Sequence, residues 1–122
     1  MAERYSSFSA GSTSWFLQRV TAAFLIVVLL FHFVSLHFIQ HAADIEFMGS
    51  ATRMADIGYF VTMILFLVTA TFHGVNGVYN ALINQGISGY TRRGVKWFLV
   101  VAGVALIVQG IRLAFALRAG GI

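Results

Sequence analysis

Three long apolar stretches constrain the fold of this chain more than any other feature. They run over residues of about 16–39, 57–83 and 95–117. A helix needs roughly 20 apolar residues to cross a hydrocarbon core of about 30 Å. A chain of 122 residues is too short to close a barrel of strands and satisfy its backbone in lipid. The sequence therefore predicts an all-α membrane protein with three transmembrane helices in one domain, residues 1–122.

The composition supports lipid as the solvent and excludes several kinds of chemistry. Hydrophobic residues make up 59% of the chain and charged residues 10%, whereas a soluble domain carries roughly 25% charged residues. Cysteine is absent, which excludes disulfides, thiolate ligation of zinc and iron–sulfur clusters. The net charge of +4 comes from residues beside the apolar spans, so membrane orientation explains it better than nucleic-acid binding.

The distribution of charge predicts how the chain crosses the membrane. Basic residues cluster before the first span and in the second connection, whereas the first connection is mostly acidic; the residues are Arg4 and Arg19, then Arg92, Arg93 and Lys96, against Asp44, Glu46, Arg53 and Asp56. The positive-inside rule places the basic segments in the cytoplasm. We therefore expect a multi-pass protein of the cell or inner membrane, with the N-terminus inside and the C-terminus outside.

The second span carries a polar stripe along one helical face. At 100° per residue, the residues that share this face are Thr62, Thr69, His73, Asn76, Gly77, Asn80 and Asn84. The opposite face, which we expect to meet lipid, comprises Ile64, Val68, Thr71, Val75, Val78 and Leu82. A polar stripe inside a membrane has to face protein, a cofactor or water.

His73 is the residue of this stripe with the widest chemical range. It lies about 15 Å from the inner end of its helix, near the middle of the bilayer, and Gly74 and Gly77 reduce the bulk beside it. Two interpretations remain open: a structural histidine bonded across helices, or an axial ligand of haem iron. His32 differs from it in depth and direction, so a second axial ligand would come from another chain.

Other polar residues are weaker candidates. His37 and His41 have the four-residue spacing of a metal-binding pair, but they lie at the hydrated end of the first span. Arg19 either extends its charge to the interface or donates to a propionate or quinone carbonyl. The third span has a possible packing face, formed by Ala102, Ala105, Gln109, Arg112 and Ala116. We expect Arg112 to reach the outer interface or to pair with Asp56.

Two segments resemble the membrane-anchor subunits of succinate dehydrogenase, respiratory complex II. Residues 14–22, S-W-F-L-Q-R-V-T-A, resemble the start of the first helix in that family, where an R-x-T-A string recurs. Residues 73–80, H-G-V-N-G-V-Y-N, resemble its second-helix H-x-x-x-G string. Three spans and this chain length also match. The chain is most similar to the D-type anchor of the family, which forms half of a heterodimeric anchor bundle.

The resemblance implies a role in electron transport from the tricarboxylic acid cycle. Such subunits hold a flavoprotein subunit and an iron–sulfur subunit on the membrane, beside a cytochrome b-type sister anchor. They help bind haem b and quinone, but the dicarboxylate and flavin chemistry belongs to their partners. His73 matches the axial haem ligand, and Arg19 matches an arginine near the haem propionates or quinone. Ser14, near Arg19, is placed in the quinone vicinity.

The sequence departs from the family where an Asp-Tyr pair often follows the histidine. Asn84 and Gln85 occupy those positions; they donate hydrogen bonds but cannot act as acids. We keep both as residues of the quinone vicinity, with Tyr79, Tyr90 or a partner as the source of a phenol. The alternative function is a haem-free scaffold subunit of another membrane complex, such as a transporter, in which the polar stripe only packs helices.

Overall fold

The computed structural model describes residues 12–120, and within that range every regular element is helical. The elements in chain order are α1 (Thr13–Val34), a π-helical turn (Ser35–Ile39), a 3₁₀ turn (Ala42–Asp44), α2 (Phe47–Ala55), α3 (Ile57–Asn84) and α4 (Gly89–Arg118). By length and composition, α1 with its π-helical extension, α3 and α4 can each cross a membrane. The predicted three-span architecture is thus confirmed. The short α2 lies within the first connection.

The helix ends follow from local sequence. Ser12 begins α1 by accepting a hydrogen bond from the Trp15 amide at 3.0 Å. Asp56 begins α3 in the same way, accepting from the Tyr59 amide at 2.8 Å. The last helix begins earlier than the predicted residue 95, at Gly89, whose φ of +57° favours glycine. The connection between α3 and α4 is therefore short, and the two helices form an antiparallel pair.

Helix α3 is the centre of the bundle. It packs against α1 on one side and against α4 on another, while α2 packs against both α3 and α4. Among the described residues α1 and α4 share no comparable interface. Most long apolar side chains of α1 and α4 point outward, including Leu29, Phe98 and Val101, as expected for helices whose solvent is lipid.

Small residues of α4 bring it close to α3. A Cβ atom at Gly103 would lie 3.1 Å from Val75 Cγ2 and 3.2 Å from Thr71 Cγ2. One at Gly110 would lie 2.5 Å from Leu67 Cδ2. The prediction that Thr71 and Val75 face lipid is therefore wrong. Their methyl groups fill the space that a glycine leaves on the neighbouring helix, a common way to pack helices in membranes.

The packing face predicted for the last span is also wrong for its central members. Ala105, Gln109 and Arg112 are exposed, whereas Gly103 and Ala114 are buried. The smallest side chains allow the closest approach, so the glycines determine which face of α4 packs.

Two basic residues of α4 differ in what they bind. Arg112 donates to Gln109 Oε1 at 3.4 Å on its own helix, and Asp56, its suggested partner, caps α3 instead. Arg118 connects α4 to α2, donating to the carbonyl oxygens of Met54 at 3.2 Å and Ala55 at 3.1 Å.

Candidate functional site

His73 lies partly buried between α3 and α1. Two residues of α1, Gln18 and Thr21, are three positions apart and so project from the same side of the helix. Thr21 Oγ1 lies 3.0 Å from His73 Nδ1, and Gln18 Nε2 donates to the His73 carbonyl oxygen at 3.3 Å. The imidazole is thus held by the neighbouring helix of its own chain.

The contacts of Thr21 favour one tautomer of His73. The Thr21 hydroxyl donates to the Leu17 carbonyl at 2.7 Å, its shortest bond. Its oxygen can then accept a hydrogen bond from His73 Nδ1–H. That arrangement leaves the lone pair on Nε2. Gln18 Nε2 is 3.5 Å from this nitrogen, which is long for a hydrogen bond and engages the lone pair weakly.

A chain of amides continues from Gln18 along α3. Asn76 Nδ2 donates to Gln18 Oε1 at 2.7 Å. Asn80 Nδ2 donates in turn to the Asn76 carbonyl oxygen at 2.6 Å and to Asn76 Oδ1 at 3.1 Å. These residues belong to the predicted polar stripe, and His73 and Asn76 meet side chains of α1. We call the hydrogen-bonded set of Gln18, Thr21, His73, Asn76 and Asn80 the polar interface.

The two glycines beside His73 serve different purposes. A Cβ atom at Gly77 would lie 3.1 Å from Gln18 Nε2, so Gly77 makes room for the Gln18 amide. A Cβ atom at Gly74 would meet nothing within 4 Å. Of the two positions predicted to reduce the bulk beside His73, only Gly74 leaves open space within this chain.

The Nδ1 side of His73 meets one requirement of an axial haem ligand. A ligating histidine usually donates its other ring N–H to a protein oxygen, which fixes the ring orientation, and Thr21 provides that oxygen. His32 follows Thr21 by eleven positions on α1, about 16 Å of helix, so it lies at another depth. Within residues 12–120 no group of three or more potential metal ligands occurs.

The remaining predicted site residues are dispersed. Arg19 is exposed and its guanidinium lies 4.8 Å from the centre of the Trp15 ring, away from the polar interface. Asn84 and Gln85 are exposed at the end of α3. The pair His37 and His41 gains no support as a metal site, because no third potential ligand joins it within residues 12–120.

Ser14 does lie beside a cavity, near the end of the bundle that carries the connection between α3 and α4. This cavity has a volume of about 280 Å³, and Tyr79, Asn80 and Lys96 also line it. The Tyr79 hydroxyl accepts a hydrogen bond from Arg92 Nε at 3.1 Å. Two tyrosines are candidates for the source of a phenol. Tyr79 lines this cavity, whereas Tyr90 is not among its lining residues and is 88% exposed.

Sequence reasoning missed the role of Thr21. The residue stands out in the sequence only as part of the R-x-T-A string, although its spacing from Gln18 places both residues on one face of α1. The spacing of Gln18 and Thr21 is visible in the sequence. Matching that face of α1 to His73 requires knowing the depth at which α1 and α3 pack together, and the sequence does not give that depth.

A three-helix membrane protein with a histidine held in a polar interface belongs to a broad class of membrane-embedded subunits. The comparison with known families narrows this class. Residues 2–114 match the family model of the succinate dehydrogenase/fumarate reductase transmembrane subunit, and the chain belongs to this family. The resemblance inferred from residues 14–22 and 73–80 is thereby confirmed.

A curated relative points the same way. The chain is 29% identical over 105 residues to a succinate dehydrogenase hydrophobic membrane anchor subunit of Thermoplasma acidophilum, and the match covers 85% of each chain. No solved structure matches the chain. The family assignment argues against a scaffold subunit of an unrelated transporter.

Proposed function

We propose that this chain anchors the flavoprotein and iron–sulfur subunits of a succinate:quinone oxidoreductase to the membrane and helps bind haem b through His73. The observation that carries the proposal is the contact of 3.0 Å between Thr21 Oγ1 and His73 Nδ1, which favours the tautomer with its lone pair on Nε2. A b haem in this position would store and pass single electrons. A cytochrome b-type sister subunit would provide the other axial ligand, since His32 lies at another depth.

The residues around His73 would each have a distinct task. Thr21 holds Nδ1–H and so orients the ring. Gly74 leaves space beside the ring. Arg19 extends from α1 with an exposed guanidinium, available to a propionate or a quinone carbonyl on the face of α1 that does not meet α3.

The test of haem ligation is a reduced-minus-oxidised difference spectrum of the purified complex. His73→Ala should lose most of the α band of the b haem while the flavoprotein still co-purifies. His37→Ala is the matched control, because that ring lies beside a carbonyl of its own helix and is exposed. A full and unchanged haem signal in the His73→Ala complex would refute the ligand assignment.

The proposed quinone vicinity is the inner end of the bundle. Ser14 and Tyr79 line one cavity there, and Asn84 and Gln85 are exposed nearby at the end of α3. Hydroxyl and amide groups can donate to quinone carbonyls. Ser14→Ala and Gln85→Leu should raise the KM for quinone more than they change kcat, with succinate oxidation by an artificial dye acceptor unchanged. An unaltered quinone KM in both variants would place the quinone elsewhere.

The proposed orientation places the connection between α3 and α4 in the cytoplasm. Arg92, Arg93 and Lys96 would then face the soluble subunits and attract them by complementary charge. Because the chain has no cysteine, single cysteines at Ser88 and Thr52 report topology cleanly. A membrane-impermeant maleimide added to intact cells should label the Thr52→Cys variant and spare the Ser88→Cys variant; the reverse pattern would invert the topology.

A haem-free anchor is the second candidate, and one observation favours it. Both ring nitrogens of His73 have polar neighbours in its own chain, as a purely structural histidine would. The same difference spectrum decides between the two. A wild-type complex that contains the flavoprotein but lacks a b haem would leave the polar interface with a packing role only.

A further inference from the structure

Asn80 carries an unsatisfied acceptor in the interior of the protein. It is 2% exposed, and its Oδ1 has no hydrogen-bond partner in the structure. Its Nδ2 is already committed to Asn76, so turning the amide over would only exchange one unsatisfied group for another. A buried polar atom without a partner is costly, which indicates that a donor completes this site in the membrane.

The cavity beside Asn80 has the size and lining to hold water. Its volume of about 280 Å³ far exceeds that of one molecule, and Ser14, Asn80 and Lys96 provide polar groups among apolar side chains such as Phe72 and Leu99. A second cavity of about 390 Å³ shares Tyr79 and Lys96 with it and is otherwise lined by residues at the start of α4. The two cavities are thus neighbours, and together they extend toward the end of the bundle.

The amide chain has a direction. Asn80 donates to Asn76, Asn76 donates to Gln18, and Gln18 donates to the His73 carbonyl. Amide groups do not ionise at working pH, so this chain cannot pass protons. It transmits orientation instead, because each amide fixes which way the next one points.

We propose that the cavity beside Asn80 is a hydration site, that its water donates to Asn80 Oδ1, and that Asn80, Asn76 and Gln18 are positioning residues for His73. An oxidised quinone cannot complete this site, because its carbonyls only accept hydrogen bonds. The Lys96 side chain is exposed, and drawing its ammonium inward would require desolvation. A water molecule donates hydrogen bonds and carries no charge to desolvate, so it meets both conditions.

The consequence for His73 rests on the proposed haem function. Gln18 is the last member of this series of amides. Its N–H groups, which are the positive end of the amide dipole, lie beside His73. This end disfavours the extra positive charge of oxidised haem iron, so the chain raises the midpoint potential. Loss of the chain should therefore lower it.

The first experiment is potentiometry of the haem in the purified complex. Asn80→Leu removes both the acceptor and the donor at similar size, and a downward shift of the midpoint potential with haem content retained is expected. Thr62→Val is the matched control on the same helix, because that hydroxyl donates only to Gly58 of its own turn at 2.8 Å. An Asn80→Leu complex with the wild-type potential would overturn the positioning role.

The second experiment does not depend on a variant or on haem. A high-resolution cryo-electron microscopy map of the wild-type complex should show water density about 3 Å from Asn80 Oδ1. An empty cavity, the Lys96 ammonium or a quinone ring in that place would overturn the hydration site.

If the wild-type complex proves to hold no haem, the proposed haem function fails separately from this inference. The positioning role is then read from the ¹⁵N shifts of the His73 ring in the complex. Asn80→Leu should change the balance of the two tautomers, and identical ring shifts in variant and wild type would refute the coupling.

Discussion

The two interfaces of α3 use opposite chemistry. Toward α1 it presents the polar interface, where an imidazole and amides are bonded to one another. Toward α4 it presents what we call the apolar interface, formed by Leu67, Thr71 and Val75 against Gly103 and Gly110. The apolar interface brings helices together by shape, whereas the polar interface fixes the orientation of particular atoms. One helix therefore combines a packing side with a side suited to function.

The membrane explains why the two sides can be separated so clearly. Lipid tails are as apolar as leucine, so burying a leucine between helices gains little over leaving it in lipid. Close approach at small residues gives α3 and α4 their contact instead. Hydrogen bonds across helices are worth about 0.6 kcal/mol on average and at most about 1.7 kcal/mol. The polar interface therefore contributes more to the orientation of its side chains than to the stability of the bundle.

The largest effect should come from filling the apolar interface. Gly103→Leu places a branched side chain where even a Cβ would contact Val75 and Thr71 at 3.1 and 3.2 Å. Overpacking of this kind costs about 1–3 kcal/mol. We expect a lower midpoint in thermal or detergent-induced unfolding of the purified complex.

Gly94→Leu is the matched control for that substitution. Gly94 is also a glycine of α4, but a Cβ there would meet nothing within 4 Å. Equal destabilisation by the two substitutions would mean that glycine content, and not the apolar interface, determines the stability of α4.

A smaller effect should come from uncoupling the polar interface. Gln18→Leu and Asn76→Leu each remove the hydrogen bond of 2.7 Å between these side chains. The double variant loses the same single bond, so its destabilisation should be smaller than the sum of the two single variants. The coupling energy in the double-mutant cycle, measured by unfolding of the complex, should be about 0.6–1.7 kcal/mol. A coupling near zero would show that the amide chain forms without contributing to helix association.

Sequence reasoning predicted the architecture well because hydropathy and length alone decide it. The spans 16–39 and 57–83 agree closely with α1 with its π-helical extension and with α3, since apolar residues predominate along both. The start of α4 was placed too late. Residues 89–94 are polar, and a helix that emerges from the membrane keeps its backbone bonds after its hydropathy falls.

The arrangement around the site was only partly predictable. The periodicity of α3 identified the face that holds His73 and Asn76, because polar residues cannot be left in lipid. It could not identify the side that meets α4, because Thr71 and Val75 look the same in sequence whether they meet lipid or glycine. The role of Gly77 was missed for a related reason, since a glycine does not reveal which neighbour approaches it.

The smallest expected effect tests the polar contact between the end of α4 and the short α2. Arg118 donates to the last carbonyls of α2 and lies 5.0 Å from the centre of the Phe60 ring. A cation at a helix C-terminus contributes about 0.3–1 kcal/mol. Arg118→Gln should therefore speed hydrogen exchange of the α2 amides by roughly 2–5-fold, while those of α3 and α4 remain unchanged. Arg112→Gln is the control, because that guanidinium donates to Gln109 of its own helix. If exchange in α2 were equal in the Arg118→Gln and wild-type complexes, the apolar contacts of Met54 with Phe60 and Ala114 would be enough to hold α2, and its packing too would depend on shape and not on charge.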